Sequence, residues 1–373
     1  MAKYKIAVLP GDGVGNDVID ASQPILDKIG LDAEYTNADV GWEFWKTEGD
    51  PLPERTIKLL EDSDAALFGA ITSKPRDEAK EELNPDLRDK GFEYFSPIVR
   101  MRQLFNLKVN FRPCKAYEGN PLNYKDGIDI TVFRENTEGL YAGIEYHPVP
   151  DEVWKILEKT HKKAERFKDV PLEDMAISVR LFTRRGCQNI VRAAFEYANK
   201  NGYPSVTVVE KPNVLRETSG LMVREAREMH KKDFSKIELW EANIDAMTMW
   251  LIKNPLDYSV LVAGNMFGDI ISDLCAQLVG GLGFACSGNI GDDLGIFEPT
   301  HGSAPKYAGQ YKVNPIAMIL SIKLMCNYLG ETDAEEAIDK AVASVIKEGK
   351  LRTYDMGGTS SSIEMANAVA ERI

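Results

Sequence analysis

The apolar run Val260-Leu261-Val262-Ala263 passes through Gly264 directly into the segment NMFGDIISDLCAQLVGGLG, residues 265–283. A short apolar run closed by glycine reads as a buried strand, and the residues after it follow a helical pattern. Asp269 and Asp273 are four residues apart on that helix, so both carboxylates leave the same face. Adjacent carboxylates repel unless something positive lies between them, and hard oxygen ligands suit Mg²⁺ or Mn²⁺. Spacing alone also fits a solvated acidic face. The position one turn after a buried strand, away from any lysine cluster, favours the ion. A third acid, Asp245, opens the apolar helical segment 245–251, where it serves as a further ligand or as a plain N-cap.

Read from the start, strand and helix patterns alternate. Residues 5–9 form a candidate first strand, followed by a glycine loop and a helix to about Ile29. Gly11 and Gly13 fit the start of a dinucleotide fingerprint, but Asn16 stands at its third glycine position, so a tight strand-to-helix turn is expected instead. A strand at 33–40, a helix through 54–60 and a strand at 65–70 continue the alternation, which predicts a mostly parallel sheet covered by helices on both faces. The charged, turn-rich stretch 72–95 reads as a mobile flap or an inserted hairpin of helix and loop.

Composition narrows the function classes. The chain has 373 residues, 44% hydrophobic and 28% charged, enough for two domains or one large interleaved unit. A formal net charge of −13 argues against nucleic-acid or membrane-surface partners, which need a positive footprint. No apolar run approaches a membrane span, and no signal peptide is read at the N-terminus. Five scattered cysteines without a C-x-x-C pair fit reduced thiols and a cytoplasmic setting.

Arg100, Arg102, Arg112 and Arg134 fall within 35 residues, several on apolar strand patterns. Each alone could be a surface charge, but together they look like a clamp for carboxylates, which guanidinium binds in a bidentate manner. Lys211 ends the apolar strand 206–209, where its ammonium could be partly desolvated and its pKa tuned, or where it simply snorkels. Glycine-rich backbone around His301 suits close approach to a nucleotide.

These segments resemble the isocitrate and isopropylmalate dehydrogenases, metal-dependent decarboxylating oxidoreductases of 2-hydroxy acids. The resemblance rests on the 265–283 segment, RENTEGLYAGIE around Arg134 and Tyr141, the strand-end Lys211 with Asn213, and EPTHGSAP around His301 and Gly302. It implies an α/β fold of two domains sharing a continuous mixed sheet, not a true Rossmann fold. Residues 1–107 and 280–373 would form the large cofactor-side domain. Residues 108–279 would form the small domain, with the metal site, the dimer interface and an arm at about 145–183.

The resemblance also implies roles. Asp245, Asp269 and Asp273 would hold Mg²⁺ or Mn²⁺, and Ser96, Arg102, Arg112 and Arg134 would bind substrate. Lys211 would take part in removing the hydroxyl proton, and Tyr141 would protonate the enol carbon after carbon dioxide leaves. Thr72, Asn213, His301, Gly302, Lys306, Tyr307, Asn314 and Tyr354 would contact the cofactor. Lys306-Tyr307 and Tyr354 match NADP-linked relatives and lean the reading to NADP over NAD, although Gly358 stands where those relatives carry an arginine. Lys211 and Asp245 would come from the second subunit of a homodimer.

The substrate expected first is isocitrate, oxidised to 2-oxoglutarate. Ser96 fits an isocitrate site, while Ile98 replaces its usual asparagine and Thr72 stands near its usual lysine, so Lys74 or Arg100 would have to supply a cation. Ser96-Pro97-Ile98-Val99 also occurs in homoisocitrate dehydrogenases, the second expectation. Isopropylmalate ranks third, because no clearly apolar pocket is evident. A silent regulatory subunit would have lost some of Tyr141, Lys211 and the aspartates, which this chain retains. A phosphotransferase would need a P-loop, which it lacks.

Overall fold

The computed structural model describes residues 2–373. Twelve strands follow in chain order: β1 (Tyr4–Gly11), β2 (Ala33–Asn37), β3 (Ala65–Ala70), β4 (Val109–Lys115), β5 (Asp129–Glu135), β6 (Glu145–Tyr146), β7 (Ile177–Ser178), β8 (Ser205–Glu210), β9 (Glu238–Asn243), β10 (Val260–Ala263), β11 (Cys286–Ile290) and β12 (Gly295–Pro299). Ten of them form one sheet in the order β2-β1-β3-β12-β11-β4-β5-β10-β8-β9. The outer wings are parallel, β2-β1-β3-β12 on one side and β5-β10-β8-β9 on the other. Between them β12-β11-β4-β5 pair antiparallel and stitch the wings into one mixed sheet.

Helices cover both faces, which explains why β3, β8 and β10 are buried along their whole length and read as continuous apolar runs. Val206, Val208, Val260 and Val262 pack under the helices Arg184–Asn201 and Thr218–Asp233. The alternate residues Val209, Leu261 and Ala263 face the helices Ile244–Lys253 and Asn265–Leu278. On the other wing the helix Ile316–Tyr328 is apolar almost all round and sits deep in the largest core, beneath the helix Val14–Ile29. Each fully buried Ile or Leu there contributes about 1.5–3 kcal/mol.

The glycine loop works by packing. Gly11 and Gly13 have φ of 73° and 54°. A Cβ on them would lie 2.0 Å from the Ala70 carbonyl oxygen and 2.1 Å from that of Ser303. Stretch 72–95 holds the helix Arg76–Glu82 and a loop, anchored where Ala79 and Leu83 pack on Trp42 and Trp45. The Trp45 indole donates to the Ala79 carbonyl at 2.8 Å, and the Tyr94 hydroxyl to that of Thr72 at 2.7 Å. Strands β6 and β7 pair antiparallel around the helix Asp151–Thr160, forming a largely exposed arm. All five cysteines are free and buried. Among the described residues no helix is long and apolar enough to cross a membrane.

Candidate active site

The antiparallel seam carries a row of polar residues on one face. Asn110 pairs across the ladder with Arg134 on one side and Asn289 on the other, and Arg112 lies two residues beyond Asn110 on the same face. In a half-exposed sheet such a row would face water. Here it is covered, and Arg134, Arg102 and Arg112 are only 1%, 6% and 8% exposed. The helix Asn265–Leu278 lies over β5 and presents acids to these cations.

Asp269 is the meeting point. It accepts hydrogen bonds from Arg134 Nη1 and, at 2.6 Å, from the Tyr141 hydroxyl; Arg112 Nη1 lies 3.2 Å away. Arg112 also reaches Asp273 at 3.2 Å and donates to Ser272 Oγ at 2.7 Å. Burial alone would raise the Asp269 carboxyl, but Arg134 and Arg112 outweigh it and hold the carboxyl below its ordinary range. Burial, followed by the Asp269 hydrogen bond, raises the Tyr141 phenol and keeps it protonated at neutral pH. Burial lowers Arg134, with Arg112 and Arg102 adding to the effect; guanidinium remains charged nonetheless.

Ser96, Arg102, Arg112, Arg134, Tyr141, Asp269, His301 and Gly302 line one cavity of about 280 Å³. Its remaining wall includes Phe68, Ile71, Ile98 and Val99 beside Ser73. The two cations considered as replacements are engaged elsewhere. Lys74 pairs with Glu82 over the Trp42 ring, and Arg100 pairs with Asp50 over Phe95.

A second cavity, of about 330 Å³, adjoins the first through His301 and Gly302, which line both. Tyr307, Asn314 and Tyr354 line it, together with Lys312 and Asp355, which sequence reasoning did not single out. The Lys312 ammonium lies 4.5 Å from the Tyr354 ring centre and 5.6 Å from that of Tyr307; Lys306 stands 4.8 Å from Tyr307. Asn314 donates to Asp355 at 3.1 Å. Thr72 and Lys306 line neither cavity; the Thr72 hydroxyl hydrogen-bonds the Ser303 hydroxyl at 2.7 Å.

Lys211, Asn213 and Asp245 are not brought to these cavities. Lys211 leaves the end of β8 and pairs with Asp245, which follows β9 and is 68% exposed. Asn213 is exposed and lines neither cavity. At about 4.8 Å per strand, positions two and three strands from β5 lie roughly 10–14 Å from Arg134. Among the described residues no three His, Cys, Asp or Glu side chains converge as a metal cluster. Asp269 and Asp273 therefore share a helix face without the third acid.

Sequence reasoning also missed the buried amides behind the arginines. Asn289 Oδ1 accepts from Arg102 Nε at 2.9 Å, Asn110 at 2.8 Å and Asn136 at 3.1 Å. Its amide nitrogen donates to Glu298 at 2.8 Å, and Arg102 Nη2 donates to the same Glu298 oxygen at 3.2 Å. The signal available was the alternation of polar residues on β4 and β11, which resembles an ordinary solvent face.

The isocitrate/isopropylmalate dehydrogenase family model matches residues 5–370. The chain belongs to this family. A protein named DlpA from Legionella pneumophila is 42% identical over 98% of this chain, which spans 58% of that protein's length. A 3-isopropylmalate dehydrogenase from Archaeoglobus fulgidus is 38% identical, covering 98% of both chains. The crystal structure of an isocitrate dehydrogenase from Methylococcus capsulatus superimposes with a TM-score of 0.85 at 34% identity, covering 99% of both chains. Enzymes of the isocitrate/isopropylmalate dehydrogenase family oxidatively decarboxylate hydroxy acids with a divalent metal and NAD(P).

Proposed function

We propose that this chain oxidatively decarboxylates a malate carrying a third, uncharged substituent, with NADP as the preferred oxidant and with the site completed across a homodimer. The observation that carries the reading is the convergence of Arg134, Arg112 and Tyr141 on Asp269 at a cavity walled by three buried arginines. Three guanidiniums suit the two carboxylates of a malate core.

The donor set fits a divalent cation, since Asp269 and Asp273 offer hard carboxylate oxygens from one helix face. The adjoining cavity fits a dinucleotide: His301 Nε2 is buried without a partner, and the backbone at Gly302 is open. When bound, the cation polarises the substrate hydroxyl and the nicotinamide accepts hydride. Asp269 and Asp273 would hold the cation, with Asp245 of the partner subunit. With the acids holding the cation, Arg112 and Arg134 would be free to bind substrate carboxylates. Lys211 of the partner subunit would help remove the hydroxyl proton. Tyr141, kept protonated by its surroundings, would deliver a proton to the carbon that loses carbon dioxide.

The third substituent decides the substrate. Ile71, Ile98 and Val99 beside two serine hydroxyls, with Lys74 and Arg100 engaged elsewhere, favour an alkyl or hydroxyl-bearing group over a carboxylate. This puts an isopropylmalate-like acid ahead of isocitrate, the reverse of the ranking from sequence. The isocitrate reading stands second, favoured by Ser96 at the wall and the structural likeness to an isocitrate dehydrogenase. Lys306 and Lys312 around Tyr307 and Tyr354 favour a phosphorylated ribose. Initial rates with Mn²⁺ and NADP⁺, then NAD⁺, test the reading with 3-isopropylmalate, isocitrate and homoisocitrate. Faster turnover of isocitrate would overturn the uncharged-substituent reading, and no turnover of any would overturn the activity.

A further inference from the structure

We infer that Asn289 is the positioning residue of the site: it aims Arg102 at substrate and keeps Glu298 bound to it. The inference rests on the activity proposed above. Asn289 lies in the middle of the antiparallel seam, between β12 and β4, the place where the two wings of the sheet meet. Its side chain is fully buried. Three donors, from Arg102, Asn110 and Asn136, converge on its single amide oxygen. They arrive from three separate segments: the helix Pro97–Leu104, β4, and the loop after β5.

The amide is chemically suited to this position. Its oxygen accepts from the guanidinium while its nitrogen donates to Glu298, and Arg102 closes the ring by donating to that same carboxylate. The planar Arg102 head is thereby held at two points, Nε and Nη2. Its other N–H groups remain for the cavity that Arg102 lines. A second link runs through Asn110, whose Oδ1 accepts from Arg112 Nε at 2.7 Å. One carboxamide thus ties the orientation of Arg102 directly, and of Arg112 at one remove, to the seam of the sheet.

Aspartate and alanine at this position separate the two halves of the role. Asn289→Asp keeps an acceptor for Arg102 but replaces the donor facing Glu298 with a second carboxylate. Asn289→Ala removes both and strands the Arg102 Nε–H in a buried site. The experiment is steady-state kinetics with the fastest of the three malate-class substrates, combined with crystal structures of both variants. The expected result is a folded Asn289→Ala enzyme whose substrate KM rises about tenfold or more, equal to about 1.4 kcal/mol, with the cofactor KM little changed. Its crystal structure should show the Arg102 guanidinium displaced. Asn289→Asp should retain the Arg102 position while Glu298 moves away.

A purely structural asparagine would lower the melting temperature of both variants and leave substrate KM unaltered, and that result overturns the proposal. Arg102 in an unchanged position in the Asn289→Ala crystal also overturns it. If the wild-type protein turns over none of the three substrates, the proposed activity fails; the crystal structures still decide whether Asn289 positions Arg102.

Discussion

Arg134 donates through both Nε, at 3.0 Å, and Nη2, at 2.8 Å, to a single oxygen, Oδ1 of Asn265. The first residue of the helix Asn265–Leu278 thus locks the guanidinium at the end of the neighbouring strand. The third donor, Nη1, is left directed at Asp269 one turn further along. A Cβ at Gly268 would lie 2.7 Å from Arg134 Cγ, so the helix can approach this closely only because glycine stands there.

Asn265→Ala should therefore weaken the site without dismantling the sheet. Removing the acceptor of two charge-assisted hydrogen bonds to a buried guanidinium costs about 1.5–3 kcal/mol, or roughly 10- to 100-fold in kcat/KM. Steady-state kinetics beside a thermal melt check this, and an unchanged kcat/KM would count against the role assigned to Arg134.

The separation of Lys211 and Asp245 from Asp269 gives a mixing test. Tyr141→Phe and Lys211→Met should each be nearly inactive, by about 10²–10⁴-fold in kcat. Mixed in equal amounts and allowed to exchange, they should recover about a quarter of wild-type activity, because half the dimers then carry one intact shared site. No recovery, with exchange verified by native mass spectrometry, would mean that each copy is self-sufficient.

Around the second cavity, Lys312→Ala and Lys306→Ala remove cations beside Tyr354 and Tyr307. Each should raise the NADP⁺ KM about tenfold and change the NAD⁺ KM by less than about twofold. Equal effects on both dinucleotides would show that these lysines do not read the ribose phosphate.

Away from the site, Asp339 accepts hydrogen bonds from Lys115 at 2.8 Å, Tyr117 at 2.7 Å and Lys323 at 2.6 Å. Burial would raise its carboxyl, but Lys323 and the hydrogen bonds outweigh burial and hold it well below the ordinary range. A depressed carboxylate stabilises the fold fully above its unfolded value of about 3.9, and that contribution is lost as pH falls through the lower folded value. Asp339→Asn should therefore cost about 1–3 kcal/mol at neutral pH and progressively less below about pH 4. Urea unfolding at two pH values reads the difference, and a penalty independent of pH would contradict it.

Much of this architecture was legible without coordinates. The apolar strands β3, β8 and β10, the helix Asn265–Leu278 and the same-face pair Asp269 and Asp273 follow from local periodicity, which depends only on residues a few positions apart. The arginines could be counted as a group for the same reason, since the chain places them close together.

Local pattern could not show which polar strand face is buried. The alternation of Asn110 and Arg112 on β4 is what a solvent face looks like; it becomes a site floor only because β11 pairs beside it and the Asn265–Leu278 helix covers it. The engagement of Lys74 with Glu82 and of Arg100 with Asp50 was equally hidden, because it depends on rotamer and neighbour, not spacing. By itself the sequence determined the apolar strands β1, β3, β8 and β10, the helix Asn265–Leu278 and the inventory of charged groups. Only the tertiary structure decided which charges meet, because strand order brings residues 102, 110, 136, 289 and 298 together from distant parts of the chain.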